Sequence, residues 1–175
     1  MHKGIVFLAW LSLMAAPFVS AQTQRPSPPA QAQCKFQDSK TVTVDYSSPR
    51  MRGRKIFGGL VPYGQVWRTG ANEATTFVTT ADLIVSGKEV PAGSYTIFTI
   101  PNPDQWTLII NKKTGEWGIP YKYEADEQTR AILTVLPLGS PVENLSISFD
   151  QRTGGCVLRV RWENTDASAL VAEKK

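Results

Sequence analysis

Hydrophobic and polar residues alternate with a period of two along much of the chain after residue 40. The stretch 41–46 reads Thr-Val-Thr-Val-Asp-Tyr, and the stretches 145–149 and 156–162 alternate in the same way. Successive side chains of a β-strand point to opposite faces of a sheet. The pattern therefore predicts strands with one buried and one solvated face.

The stretch 94–111 predicts a β-hairpin near the centre of a sheet. Residues 94–100 carry bulky side chains on both faces, which indicates a strand that is covered on both sides. The sequence Pro-Asn-Pro-Asp follows at 101–104 and marks a turn. Bulky residues then alternate from Trp106 to Ile110, as expected for the returning strand.

Turn residues divide the rest of the chain into short segments of the same kind, and no segment has the periodicity of an amphipathic helix. About nine or ten short strands are expected. The fold class predicted from this pattern is all-β, an antiparallel β-sandwich with a jelly-roll-like or Ig-like outline.

Four regions follow from the composition along the chain. Residues 1–21 are predicted to be a signal peptide, and residues 22–40 a disordered tether rich in Pro and Gln with too few apolar residues to fold. Residues 41–171 form the single β-sandwich domain. Residues 172–175 are expected to fray.

The N-terminus has the features of an export signal. Lys3 supplies a positive charge, residues 5–16 form an apolar run, and Val-Ser-Ala at 19–21 fits the pattern of small residues at a cleavage site. The run is shorter than the roughly 20 residues that span a bilayer. The protein is therefore expected to be secreted or periplasmic, cleaved after Ala21 and without an integral membrane segment.

Charge and histidine content exclude several classes of function. The net charge is +4, a mild excess that does not indicate a nucleic-acid partner. The single histidine is His2, inside the predicted signal peptide. A chain without imidazole cannot perform Ser-His-Asp or Cys-His catalysis or build a His-containing metal site, so no metal and no cofactor are expected.

Two cysteines, Cys34 and Cys156, lie in the predicted exported part. An even number of cysteines in an oxidising compartment favours a disulfide between them. The alternative is two separate thiols, with Cys156 buried in a strand.

Residues 48–80 are the longest stretch that strands and turns do not account for. Four cations lie within residues 50–55, Arg50 and Arg54 among them, and Tyr63 and Trp67 follow. Guanidinium groups bind carboxylates and phosphates bidentately, so these residues can line a cationic, aromatic cleft. The alternatives are a solvated basic loop, or arginines paired with some of the 15 carboxylates of the chain.

The segment from Trp67 to Glu73 offers a second group of candidates. Trp67 and Arg68 can form a stacking and hydrogen-bonding platform, and Asn72 and Glu73 can bind sugar hydroxyls. Glu73 is also a weak catalytic candidate, although glycoside cleavage requires two carboxylates. In the alternative interpretation the same polar residues form an internal network that satisfies backbone groups of an irregular loop.

Three further tryptophans are interpreted by their position. Trp106 and Trp162 fit the strand periodicity and are predicted core residues. Trp117 lies between two nearby glycines in a loop and is predicted to be exposed.

Several long motifs resemble those of one known family. They are SPRMRGRKIFGGLVPYGQVWRTGANEAT, VPAGSYTIFTIP, WTLIINK, SPVENLSISFD and RVRWENT. The similarity runs from about Val42 to Ala169, and the family consists of secreted bacterial proteins that share domain of unknown function 2911. The resemblance implies an exported, single-domain, all-β protein and carries over no activity, cofactor or catalytic residue.

A binding module for a carbohydrate or a small anionic ligand is the favoured hypothesis. The candidate ligand-binding residues are Arg50, Arg54, Tyr63, Trp67, Arg68, Asn72 and Glu73. One alternative is a hydrolase or lyase that acts through carboxylates, with Glu73 as the acid or base. The other is a structural protein of the cell envelope in which the segment is a packed loop.

Overall fold

A computed structural model describes residues 25–175, so the predicted signal peptide lies outside the described residues. Nine strands follow one another along the chain. They are β1 (Pro29–Lys35), β2 (Thr41–Ser47), β3 (Thr76–Thr79), β4 (Leu83–Val85), β5 (Lys88–Val90), β6 (Gly93–Ile100), β7 (Gln105–Asn111), β8 (Glu127–Arg152) and β9 (Gly155–Glu173). Apart from a 3₁₀ turn at Glu124–Asp126, residues 25–175 form no helix.

The predicted all-β, antiparallel class is confirmed, and the strand count agrees with the prediction. All nine strands belong to one sheet with the order β1-β2-β3-β6-β7-β8-β9-β4-β5. Every neighbouring pair is antiparallel. The described residues therefore form one continuous sheet, and the two separate sheets of a sandwich are not seen among them.

The sheet curls so that its first strands meet β8. The Tyr46 hydroxyl lies 3.0 Å from the backbone N–H of Ile147, from which it accepts a hydrogen bond. Just beyond β2, the Leu145 N–H donates to the Pro49 carbonyl at 2.9 Å. This closure encloses a single large core between strands that are distant in the sheet order.

A disulfide between Cys34 and Cys156 fixes the same closure covalently, as the cysteine pair predicts. The two Cα atoms are 6.3 Å apart and are separated by 122 residues in sequence. Both cysteines are buried in the core. The bond joins β1, an edge of the sheet, to β9 on the far side of the order.

The hairpin predicted at 94–111 is formed by β6 and β7, and β6 is covered on both faces. Its residues Tyr95 and Ile97 belong to the main core. Phe98 points to the opposite face and packs with Ile109 in a smaller cluster. The sequence of β6 has apolar residues on both faces because each face packs into one of these two clusters.

Strands β8 and β9 are longer than the sequence predicts. The sequence predicts separate short strands at 131–136 and 145–149, but both segments lie within β8. The ladder between β8 and β9 shifts register on either side of Val142. In β9, Glu163 adopts a left-handed conformation with φ 52°. The turn-favouring residues of these segments therefore lie at bulges inside long strands, and they do not form turns between short strands.

The prediction that residues 22–40 form a disordered tether is wrong for Pro29–Lys35, which forms β1. This strand buries little apolar bulk, but its backbone pairs with β2 along its whole length. Polar cross-strand contacts add to the pairing, for example Gln33 to Thr43 at 3.1 Å. The hydrogen bonds to β2 and the disulfide thus order this segment, although its composition alone predicts disorder.

The prediction that residues 172–175 fray is also wrong for the first two of them. Ala172 and Glu173 complete β9 by pairing with β4. Lys174 follows, and its Nζ lies 2.7 Å from Glu89 Oε2. The remaining domain boundaries stay predictions.

Nowhere in residues 25–175 is there a helix of the length and hydrophobicity needed to cross a bilayer.

Replacing both cysteines, Cys34→Ser with Cys156→Ser, is expected to lower the free energy of unfolding by about 2–5 kcal/mol, because the disulfide closes a long loop. Denaturant unfolding of the oxidised protein and of the double variant measures the difference. Reductant should destabilise the wild-type protein by a similar amount and leave the variant unchanged. Equal stability of the two oxidised proteins would contradict the assigned role of the bond.

Candidate functional site

The segment between β2 and β3, residues 48–75, is here called the insert. It contains no strand, but it is tied to the sheet by isolated bridges from Arg50 to Asn144 and from Trp67 to Thr99. Ile56, Phe57 and Val61 are buried in the main core. The insert is therefore folded against the sheet along much of its length.

Four aromatic side chains, Phe57, Trp67, Trp106 and Trp162, form what is here called the aromatic cluster. Phe57 packs edge-on against Trp106 with ring centroids 4.8 Å apart. Trp67 stacks against Trp162 at 6.0 Å with an interplanar angle of 21°. Trp106 and Trp162 are core residues, as predicted. Two residues of the insert are thus packed on two tryptophans of the sheet.

The backbone of Trp67 continues the sheet beside β6. Its N–H donates to the Thr99 carbonyl at 2.7 Å, and the Thr99 N–H donates back at 2.8 Å. The indole Nε1 donates to the Gly70 carbonyl at 3.1 Å. Backbone and side chain of Trp67 are both satisfied, so this residue anchors the insert.

Carboxylates from the irregular part of β8 and β9 hold the backbone of the insert. Glu143 Oε1 accepts the Arg52 N–H at 2.8 Å. Glu163 Oε2, at the left-handed position in β9, accepts the Phe57 N–H at 3.1 Å. Both acidic side chains come close to the arginine-rich segment, yet they bind its peptide groups.

A cleft of about 410 Å³ opens between the insert and the sheet. The half-buried Trp67 and the buried Val61 and Trp162 line its floor. Arg54, Arg68, Leu60, Pro62, Gln65 and Ile119 are among the residues around them. The cleft is therefore mainly apolar and carries two guanidinium groups.

Arg68 is the half-buried cation of the cleft. Its guanidinium carbon lies 4.9 Å from the ring centroid of Trp117, and Nη1 donates to the Trp117 carbonyl at 3.4 Å. Burial lowers the pKa of the Arg68 guanidinium, and the negative charge of Glu73 opposes that shift. Trp117 is 56% exposed, as predicted, and covers one side of the Arg68 group.

Arg54 is held by backbone carbonyls of its own turn. Its Nε donates to Met51 at 3.0 Å, and Nη2 donates to Arg50 at 2.7 Å. These bonds fix the plane of the guanidinium at the cleft.

Neither Arg54 nor Arg68 forms a salt bridge with a carboxylate of residues 25–175. Residues 1–24 contain no Asp or Glu that would supply one. Of the alternatives left open by the sequence, pairing with carboxylates therefore does not apply to these two arginines.

The other candidates from the sequence lie outside the cleft lining. Tyr63 is 41% exposed and packs over Gly58, where an added Cβ would lie 2.7 Å from the Tyr63 ring. Arg50 points toward the N-terminal segment, with Nη1 3.4 Å from the Pro26 carbonyl. Asn72 Nδ2 donates to the Ser27 carbonyl at 3.3 Å.

Glu73 forms an exposed ion pair with Arg25 at 3.2 Å. A hydrogen bond from its own backbone N–H, followed by the one from Arg25, holds the pKa of the Glu73 carboxyl below its usual value. A general acid requires a raised pKa to keep its proton near neutral pH. The lowered pKa keeps Glu73 ionised near neutral pH, where it pairs with Arg25 of the N-terminal segment.

Several cleft residues have no signal in the sequence that would mark them. Leu60 and Ile119 are apolar residues that are 50% and 40% exposed, and both line the cleft. Ser27 reaches the cleft from the segment that was expected to be disordered. Glycines on either side of Trp117 were the one usable sign that the loop 112–126 presents its side chains to solvent.

One comparison with known proteins gives a result. The family model described as "Protein of unknown function (DUF2911)" matches residues 27–171. No match was found among curated proteins or among solved structures. The chain belongs to this family, in agreement with the resemblance of its motifs.

Trp67→Ala is expected to lower the free energy of unfolding by about 3–5 kcal/mol, because it empties the centre of the aromatic cluster. Trp117→Ala removes the same side chain from an exposed position and serves as the matched control, with an expected loss below about 1 kcal/mol. Urea unfolding measures both. Equal losses would mean that Trp67 is not an anchor of the insert.

Proposed function

We propose that this member of the family of unknown function 2911 is a binding module whose cleft takes a small organic anion, such as an acidic sugar. The anionic group of the ligand is held by Arg68 and Arg54, and the ring or apolar body of the ligand covers the cleft floor. The observation that carries the proposal is the half-buried guanidinium of Arg68, which forms no salt bridge with a carboxylate among residues 25–175, although the charge of Glu73 acts on it from a longer distance.

Electrostatics supports an anionic ligand. A cation that is partly removed from water loses hydration free energy. A hydrogen bond to a carbonyl oxygen such as that of Trp117 offsets only part of this loss. A carboxylate or phosphate offers charge-assisted, bidentate hydrogen bonds that a neutral group cannot provide. A bound anion therefore stabilises the Arg68 guanidinium more than it stabilises that of a fully solvated arginine.

The fixed position of Arg54 adds to this argument. Two of its nitrogens donate to backbone carbonyls, so its side chain loses little further freedom when a ligand binds. An ordered guanidinium pays a smaller entropic cost per hydrogen bond than a mobile one. Arg54 is thus a second guanidinium of the cleft lining, besides Arg68, that is suited to bind an anionic group.

Size and lining support an organic ligand over a bare ion. A volume of about 410 Å³ falls at the lower end of the range typical of small-molecule pockets, about 300–1,000 Å³. Apolar side chains such as Leu60, Val61 and Ile119 favour contact with C–H groups. Trp117, exposed beside Arg68, offers an aromatic face for a sugar ring.

A structural role for part of the insert has its own support. The aromatic cluster and the buried residues Ile56 and Phe57 make one side of the insert a component of the core. This role belongs to the inward side chains and is compatible with binding by the outward ones. Glu73, outside the cleft lining and ionised, gives no comparable support for a carboxylate-dependent enzyme.

Arg68→Gln is expected to weaken binding of the cleft ligand about tenfold or more, since a charge-assisted hydrogen bond contributes roughly 1.5–3 kcal/mol. The measurement is a thermal-shift screen of hexuronates, aromatic carboxylates and their neutral counterparts, followed by calorimetric titration of the compounds that stabilise the protein. Arg68→Lys keeps the charge without the planar fork and should lose part of the affinity.

Arg152→Gln is the matched control, because it removes one exposed arginine at the far end of β8. It should leave both the affinity and the melting temperature unchanged. The proposal fails if no anion stabilises the wild-type protein, if neutral counterparts bind as well as the acids, or if Arg152→Gln weakens binding as much as Arg68→Gln.

A further inference from the structure

A second basic site lies beside the cleft and shares none of its lining residues. Arg25, Arg50 and Arg52, together with Pro26 and Pro28, surround a pocket of about 280 Å³ that is here called the arginine pocket. Its lining contains no acidic side chain, no aromatic residue and no apolar residue other than the two prolines. Its chemistry therefore differs from that of the mainly apolar cleft.

The wall of the arginine pocket is held in place by the fold. The Ser48 N–H donates to the Pro28 carbonyl at 2.9 Å, which joins the N-terminal segment to the start of the insert. Arg50 Nη1 lies 3.4 Å from the Pro26 carbonyl, within reach of a weak hydrogen bond. Pro26 and Pro28 also fix their own φ angles in the wall.

Arg52 occupies a backbone conformation that favours glycine. Its φ is 50°, in the left-handed region, where a side chain other than Gly, Asn or Asp costs roughly 1–2 kcal/mol. Its N–H is held by Glu143, which fixes the turn. The turn would form more easily with Gly at this position, so the fold itself does not account for the arginine, whose side chain is exposed at the pocket.

The charges of the pocket are largely uncompensated. Arg25 pairs with Glu73, in contact at 3.2 Å. Arg50 and Arg52 have no salt bridge to any carboxylate within the described part of the chain. The leading 24 residues hold no acidic side chain either. Arg50 and Arg52 therefore place two uncompensated like charges beside one small space, and an anion in that space relieves their repulsion.

We propose that the arginine pocket binds a phosphate group. A phosphate monoester carries a charge of about −1.5 to −2 near neutral pH and three acceptor oxygens that point in different directions. Guanidinium groups arranged around a point match those oxygens, whereas a planar carboxylate is satisfied by one fork. The site is independent of the cleft, where the ligand is expected to contact apolar surface.

The phosphate group can belong to a soluble ester or to the headgroup of a lipid. The experiment therefore has two arms with purified protein at low ionic strength, because salt screens exposed charges. In the first arm, inorganic phosphate and glycerol 3-phosphate are titrated calorimetrically. In the second arm, the protein is sedimented with vesicles of phosphatidylcholine containing phosphatidate, and with vesicles of phosphatidylcholine alone.

The test variant is Arg50→Gln with Arg52→Gln, and the controls are Arg152→Gln and the cleft variant Arg68→Gln. Wild-type protein and Arg152→Gln should bind phosphate or phosphatidate vesicles with equal affinity, and Arg68→Gln should bind them more tightly than the double variant does. The double variant should bind about tenfold more weakly or not at all, with an unchanged melting temperature. Arg50→Lys with Arg52→Lys, which keeps the charge, should retain part of the affinity.

Saturable binding of the soluble phosphates assigns a soluble ester, and binding of the phosphatidate vesicles alone assigns a lipid headgroup. Either result supports phosphate binding by the arginine pocket if the double variant no longer binds that probe. The proposal is overturned if the wild-type protein binds neither probe, or if Arg152→Gln weakens binding as much as the double variant does. Loss of binding in Arg68→Gln to the same extent would place the phosphate in the cleft and also overturn it.

Discussion

The packing of Trp67 and Phe57 on Trp106 and Trp162 is the interaction on which the rest of the structure depends. It fixes 28 residues without a strand of their own against the sheet, because two inward aromatic rings fill a space between two core tryptophans. Burying an aromatic side chain contributes roughly 1.5–3 kcal/mol, so the cluster holds the insert more firmly than its exposed polar contacts do. The cleft lies between the anchored insert and the sheet, and Trp67 and Trp162 of this cluster form part of its lining.

The irregular ladder of β8 and β9 explains why arginines of the insert stay available. Register shifts around Val142 and the left-handed Glu163 break the regular pairing of the two strands. At these breaks, Glu143 and Glu163 accept backbone N–H groups of the insert. These two carboxylates thus satisfy peptide groups of the insert, and Arg54 and Arg68 form no salt bridge in the described part of the chain.

Local pattern was sufficient for the fold class but not for the site. Strands such as β2 and β6 were predictable because side-chain alternation is a property of neighbouring residues. The inward position of Trp67 was not, since it depends on packing against residues far along the chain. The bonds from Arg52 to Glu143 and from Phe57 to Glu163 span 91 and 106 residues, and no periodicity reports such contacts. The sequence therefore named arginines and aromatics together, whereas the structure packs Trp67 into the aromatic cluster and leaves Tyr63 exposed.

Amide hydrogen exchange, resolved by residue, tests most directly whether the insert is part of the folded core. The Trp67 and Thr99 amides, which donate to each other's carbonyls at 2.7 and 2.8 Å, should exchange only by global unfolding. Their free energies of exchange should then equal those of core amides in β6 and β7. Rapid exchange at Trp67 through local opening, with β6 and β7 still protected, would contradict the account, because the cleft and the arginine pocket both require a fixed insert.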